Sequence, residues 1–341
     1  MLEYKNDKWK ALIALFPTLV FMIVFTFYPI INTLVTAFME GYTFNVWRDN
    51  ANTLGWLDHF GETVVIGGGY DADGNPLPKE TMYIGLGFGN FISVLKDSTF
   101  QAAFKNTVIM VVISVPVTVI IALLISVALN NIKKFQGLFQ TIYFLPYVTN
   151  TIALGLVFSA LFASKSGLIN SMLVSMGAEP VAWIRALGDK QPTYLTSMFV
   201  LMLYTIWNGL AFKILVFLSG MQSIDKQYYQ AAQVDATPKW RVFRKITVPL
   251  LSPMIAYITI TSFIGAFKTY SSVIAVFNGE FGPSNDKKML YTMVGYVYDK
   301  LQFMSNTGEI AKASAASLIL FAIIMLITIL QMWVSKKKVH Y

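Results

Sequence analysis

The sequence predicts an all-α membrane protein with six membrane-spanning helices, on two grounds: overall apolarity and the length of its apolar stretches. Of 341 residues, 55% are hydrophobic and 13% charged, with a mean hydropathy of +0.57, whereas a soluble domain carries about 25% charged residues. Stretches of roughly 20 apolar residues, enough to cross about 30 Å of hydrocarbon as a helix, fall at 11–38, 105–129, 138–162, 193–221, 250–277 and 313–334.

The first stretch, from Ala11 to Phe38, is about twice the length of a signal-peptide core and lacks a small-residue cleavage site, so it reads as a retained span. Pro17, Pro29, Pro116, Pro146 and Pro253 fall within spans and predict kinks where neighbouring helices satisfy the freed carbonyls. Between the first two spans, 40–104 is rich in Gly and Asp and is expected to form a small extracytoplasmic subdomain or docking loop. The chain thus divides into 1–39 with the first span, 40–104, and a five-span core at 105–341 containing a long loop at 222–248.

Charge orients this arrangement. Lys5, Lys8, Lys10, Lys133, Lys134, Lys226, Lys239, Arg241, Arg244, Lys245 and Lys336 to Lys338 are 13 of the 26 basic residues, concentrated at the ends and in alternate loops. The opposite loops hold 14 of the 18 acidic residues. Basic residues gather on the cytoplasmic side, so both termini and the 222–248 loop are expected in the cytoplasm. Topology accounts for the net charge of +8, and no nucleic-acid partner is implied. Lys213 and Lys268 fall inside the fourth and fifth spans, where they are expected to face the interior or a wet cavity, or to snorkel.

The chain has no cysteine and two histidines, His59 and His340, so no disulfide, thiolate site or His cluster is available and no metal site is expected. Gly67 to Gly69, Asp71 to Gly74 and the run Gly85-Leu86-Gly87-Phe88-Gly89 lack the strand-to-helix context and the Gly-Lys-Ser/Thr ending of a phosphate loop. No cofactor is therefore expected in this chain.

The chemistry-bearing segment lies between the fourth and fifth spans. Asp225 is a plausible N-cap for a short helix from 226 to 235. Thr237 then caps a second helix with Pro238 at its first position. Trp240, Phe243 and Ile246 recur every three residues as one apolar stripe, and Pro249 marks the entry into the fifth span. Ala231-Ala232 would let the first helix approach another surface closely.

This stretch resembles the EAA loop of bacterial ABC-importer permeases through Gln230-Ala231-Ala232, Ala236, Ile246 and Val248-Pro249. Phe217 to Ile224 before it, with Asp235, Trp240, Phe243 and Ile246 in it, resemble the carbohydrate branch, as do Phe27-Tyr28-Pro29-Ile30, Phe144-Leu145-Pro146-Tyr147 and Ala313, Ala315 and Ser317. Gln230 departs from the family's glutamate and Ala236 from its glycine; if residue 236 must be left-handed, alanine costs about 1 kcal/mol.

The resemblance implies a type I ABC-importer permease fold and a sugar or oligosaccharide as cargo. It implies a second homologous permease subunit, two ATPase subunits that bind ATP and Mg, and an extracytoplasmic substrate-binding protein. Ala231, Ala232 and Asp235 would form the ATPase contact face, with Tyr228 and Val234 as anchors and Gln230, Ala236, Ile246 and Pro249 completing the motif. By likeness to maltose-type permeases, the sugar path would involve Thr205, Gly209 and Phe212 on the fourth span and Ser262, Gly265, Ala266 and Thr269 on the fifth. Asn150, Trp207, Asn208, Lys268 and Tyr270 are further candidates.

Glycerol phosphate or a polyol is the alternative cargo. An ion-coupled transporter would normally carry membrane-embedded carboxylates, and the six spans contain no Asp or Glu. An intramembrane enzyme would need a nucleophile, metal ligands or paired carboxylates, which no span offers.

Overall fold

The computed structural model describes residues 7–42, 60–67, 79–132, 136–163, 167–301 and 309–338. Lys5, Lys133, Lys134, His59, His340, Gly68, Gly69 and the Asp71 to Gly74 run lie outside the described residues. The chain forms two compact units: Met1–Asp97 with Tyr296–Ile319, and Ser98–Gly295 with Leu320–Tyr341.

In the first unit, α1 (Asp7–Met22), a π turn (Ile23–Phe27) and α2 (Tyr28–Phe38) make the first span. Every residue from Trp9 to Asn32 is exposed, and a helix this apolar on all sides requires an apolar surrounding. The π turn has a local cause. Pro29 would clash with the carbonyl four residues back in a regular α-helix, and the wider turn, closed by the Tyr28 N–H donating to the Ile23 carbonyl, relieves it.

The 40–104 segment contains β1 (Met39–Glu40), β2 (Thr63–Gly67), β3 (Lys79–Tyr83), β4 (Gly85–Leu86) and α3 (Gly89–Lys96). β1 pairs antiparallel with β4 and β2 with β3. Contrary to the sequence expectation, the Gly85 to Gly89 run does join a strand, β4, to a helix, α3, and it holds a carboxylate of the chain itself. The Gly89 N–H donates to Glu40 Oε1 at 2.5 Å, and a Cβ at Gly87 or Gly89 would collide with that carboxylate. The glycines seat an acid at the start of α3, where it complements the positive end of the helix.

The second unit is built on α4 (Ser98–Asn131), which starts seven residues before the expected span, and α8 (Tyr194–Gln222). They pack along each other, joined by Ser126 Oγ donating to the Ile214 carbonyl at 3.1 Å. Asn106 of α4 donates to the carbonyls of Met289 and Tyr291 and accepts from the Tyr194 hydroxyl. Buried Met110, Val200, Leu201, Tyr204, Val273 and Val276 form the core. The short α7 (Leu168–Ser175) precedes α8, and α14 (Met293–Leu301) precedes α15 (Ile310–Lys338), to which the last span belongs.

Two of the six spans are bent. The expected third span, 138–162, is α5 (Gln136–Val148) followed by α6 (Thr151–Leu161), bent by 100°. Asn150 makes the corner: its Oδ1 accepts from the N–H groups of Ile152 and Ala153 at 2.8 and 3.3 Å, the geometry of an N-cap.

The expected fifth span, 250–277, is α12 (Ser252–Phe267), bent by 68° from the Lys239–Leu250 helix before it. The separate α13 (Ser271–Val276) follows and packs on α6, where a Cβ at Gly155 would collide with Ala275. Lys268 is therefore the exposed C-cap of α12, at the negative end of a helix, and is not inside a helical span.

Candidate functional site

The elbow between α8 and α12 begins with α9 (Lys226–Val234). Asp225 caps it as the sequence predicts, its Oδ1 accepting from the Gln227 N–H at 2.9 Å. At the other end the Thr237 N–H donates to the Ala232 carbonyl at 2.9 Å and the Ala236 N–H to the Gln233 carbonyl at 3.1 Å. That pair of bonds is a Schellman ending, which places its terminal residue in the left-handed region. The residue is Ala236, at φ +48°, so the expected strain is present.

α9 has two faces. Inward, Ala232 is only 5% exposed, and the half-buried Tyr229, three residues earlier, brings its hydroxyl to 3.3 Å from Thr247 Oγ1. A cavity of about 460 Å³ beside them reaches Asn130 and Asn131 at the end of α4. Outward stand Tyr228, Gln230, Ala231, Val234 and Asp235, all exposed, with Val234 at 87%. The structure thus separates two alanines that the sequence reading put on one contact face. Tyr229, unlike Tyr228, ties the helix to its own chain; its i, i+3 spacing to Ala232 was the available signal.

The second half of the elbow is α10 (Lys239–Val242), a π turn (Phe243–Thr247) and α11 (Val248–Leu250). Its N-cap is Pro238 and not the expected Thr237, so the helix starts one residue later than predicted, and the Pro238 carbonyl accepts from the N–H groups of Arg241 and Val242. The π turn again precedes a proline: the Val248 N–H donates to the Phe243 carbonyl, widening the turn before the half-buried Pro249. Of the apolar stripe, Phe243 and Ile246 are half-buried while Trp240 is 68% exposed, its ring 5.4 Å from that of Phe243.

The proposed path residues occupy two neighbouring helices. Thr205, Gly209 and Phe212 lie along α8; Ser262, Gly265 and Ala266 lie on α12, with Thr269 just beyond its end. None of the seven is buried: Phe212 and Gly265 are exposed and the other five half-buried. The Thr205 hydroxyl donates to the Leu201 carbonyl within its own helix. The exposed Phe212 stacks on Tyr147 of α5, centroids 5.8 Å apart; Tyr147 belongs to the Phe144-Leu145-Pro146-Tyr147 resemblance but was not among the path candidates. Gly265 faces open space. Half-buried Asn208 neighbours Gly209, and Trp207 lines a separate cavity of about 290 Å³ with Pro146 and Leu210. Asn150 caps a helix, and the Tyr270 ring lies 5.7 Å from that of Phe281.

Apolar spans joined by a helical elbow of this kind define a multi-span membrane protein. Residues 84–340 match the family of binding-protein-dependent transport system inner membrane components, and the chain belongs to that family. It is therefore a multi-pass inner-membrane transport component. It is 30% identical over 256 residues to the lactose transport system permease protein LacF of Rhizobium radiobacter, covering 74% of this chain and 81% of that one. It is 29% identical over 255 residues to the arabinooligosaccharides transport system permease protein AraP of Bacillus subtilis, covering 74% and 77%. Its fold matches a chain of a bacterial ABC transporter involved in the import of the acidic polysaccharide alginate. That match has a TM-score of 0.75 at 18% identity and covers 97% of this chain and 96% of that one.

Proposed function

We propose that this chain is one of two transmembrane permease subunits of an ATP-driven, binding-protein-dependent carbohydrate importer. The observation that carries the reading is the two-faced helix α9. Ala232 and Tyr229 seat it on its own subunit, while Tyr228, Ala231 and Val234 stand outward as a small apolar face at the tip of an elbow. Outside an interface, an apolar side chain as exposed as Val234 gains nothing by burial. In a cleft of an ATPase subunit it would be covered.

In this reading both termini and the 222–248 loop are cytoplasmic. Two ATPase subunits there bind ATP and Mg, which this chain does not itself hold. Their closure pushes on α9, and the helical run from Lys239 through α12 acts as a lever on the fifth span. A second homologous permease subunit completes the path past Thr205, Gly209, Phe212, Ser262, Gly265, Ala266 and Thr269, and an external binding protein delivers the sugar. Lactose and arabinooligosaccharides in the names of relatives support a carbohydrate, as does the exposed Phe212–Tyr147 pair, because sugar rings stack on aromatic faces beside hydrogen-bonding groups.

The test is purification of the tagged subunit in mild detergent, followed by reconstitution with its cognate binding protein. A second permease and an ATPase should co-purify, and the vesicles should take up labelled oligosaccharide only with ATP. Uptake driven by an ion gradient without ATP would overturn the reading.

A further inference from the structure

Lys213 lies on α8 nine residues before its Gln222 end, roughly 13 Å of helix from the nearer terminus. A lysine escaping the bilayer by snorkelling extends toward that nearer end. This one does the reverse: its Nζ turns back four residues and donates to the Gly209 carbonyl at 3.0 Å, next to the helix midpoint. Glycine makes the room, since a Cβ at position 209 would lie 3.1 Å from the ammonium and 3.4 Å from Thr118 Cγ2. The side chain is half-buried. An ammonium has three N–H donors, and the Gly209 carbonyl is a neutral acceptor that uses one.

No described carboxylate forms an ion pair with Lys213, and the six apolar stretches contain no Asp or Glu. A charge at this depth is costly and is normally paired or set on a substrate pathway. Its helical position fits the second case, for Thr205, Gly209 and Lys213 succeed one another at four-residue steps along one face. Phe212, adjacent in sequence, adds the aromatic surface stacked on Tyr147.

We infer that Lys213 is a specificity-determining residue for an anionic saccharide, one bearing a carboxylate or a phosphate. The anion supplies a counter-charge that no described carboxylate provides, and the aromatic pair takes the sugar ring. This rests on the carbohydrate-importer reading above.

The experiment uses the reconstituted complex with its binding protein and three labelled probes: a uronate trisaccharide, a hexose phosphate and a neutral trisaccharide. Wild type should transport one of the acidic probes, and which one assigns carboxylate or phosphate. Lys213→Met should lower that uptake by roughly tenfold or more, as loss of one partner from a desolvated charge pair does, while Lys213→Arg retains most of it. Gly209→Ala, which crowds the ammonium, should raise KM for the acidic probe. These variants should keep the subunit in the membrane and bound to its partners.

Transport of only the neutral probe by wild type would overturn the inference and leave the importer reading standing. So would unchanged acidic uptake in Lys213→Met, or loss of the second permease from that variant, which would place the counter-charge on a partner chain. If wild type moves none of the three, the carbohydrate reading itself fails.

Discussion

Ala231 and Ala232 are consecutive in α9 and have different surroundings: Ala232 is buried against its own subunit, and Ala231 lies on the outer face between Tyr228 and Val234. One step along an α-helix turns a side chain by about 100°, so neighbours of the same size can have unrelated surroundings. Ala232→Leu should overpack the seat of α9 and destabilise the elbow by about 1–3 kcal/mol, seen as faster proteolysis in the 222–248 loop. Ala231→Leu should leave proteolysis unchanged and weaken ATPase co-purification. Equal proteolysis in the two variants would contradict the two-faced arrangement.

Ala236 has a positive φ of 48° and closes a Schellman ending, where glycine has no Cβ to strain. Ala236→Gly should stabilise the elbow by roughly 1 kcal/mol, and hydrogen exchange at the Thr237 amide, which bonds the Ala232 carbonyl, should slow. A β-branched residue at this position should have the opposite effect. Exchange that quickens in the glycine variant would show that the left-handed turn is not strained in solution.

Glu309 sits between two ammonium groups, 2.5 Å from Lys300 Nζ and 2.5 Å from Lys312 Nζ. Burial raises its carboxyl pKa, but the hydrogen bonds and charges of Lys300 and Lys312 outweigh burial, and the net value is lowered from 4.5. A lowered folded-state value contributes stability that is fully present above the unfolded value and is lost as pH falls through the folded one. Thermal stability of the wild type should therefore carry the full contribution of this group, with no pH dependence from it, between about pH 6 and 8, then decline on acidification below 4.5. Glu309→Gln should lower stability at neutral pH by about 1–2 kcal/mol, since the cluster is only partly buried, and flatten that acid decline. An acid decline of the same size in the variant would assign it to other carboxyls.

The legibility of the site followed the range of the forces involved. Asp225 was readable as a cap because a cap bond reaches only two residues ahead, and Pro249 as a break because its clash is with a carbonyl four residues back. The role of Ala236 was readable as a conditional cost, since a helix ending needs one left-handed residue. Trp240, Phe243 and Ile246 were read as one apolar stripe from their three-residue spacing, but the π turn at Phe243–Thr247 rotates Ile246 relative to Trp240, which stays exposed.

By itself the sequence determined the class of protein: apolar lengths set by the thickness of hydrocarbon, spans without a carboxylate, and a capped loop helix before the fifth span. These properties add up residue by residue along the chain, so composition and spacing contain them. Only the tertiary structure decided that the third and fifth spans bend, that Gly155 is the contact with Ala275 and Gly87 the seat of Glu40, that Ala232 is buried while Ala231 is free, and that Lys213 turns toward Gly209. The contacts of Gly155, Gly87 and Ala232 depend on which surface another part of the chain brings against them, and helical periodicity fixes the angle between side chains but not the neighbour each one meets.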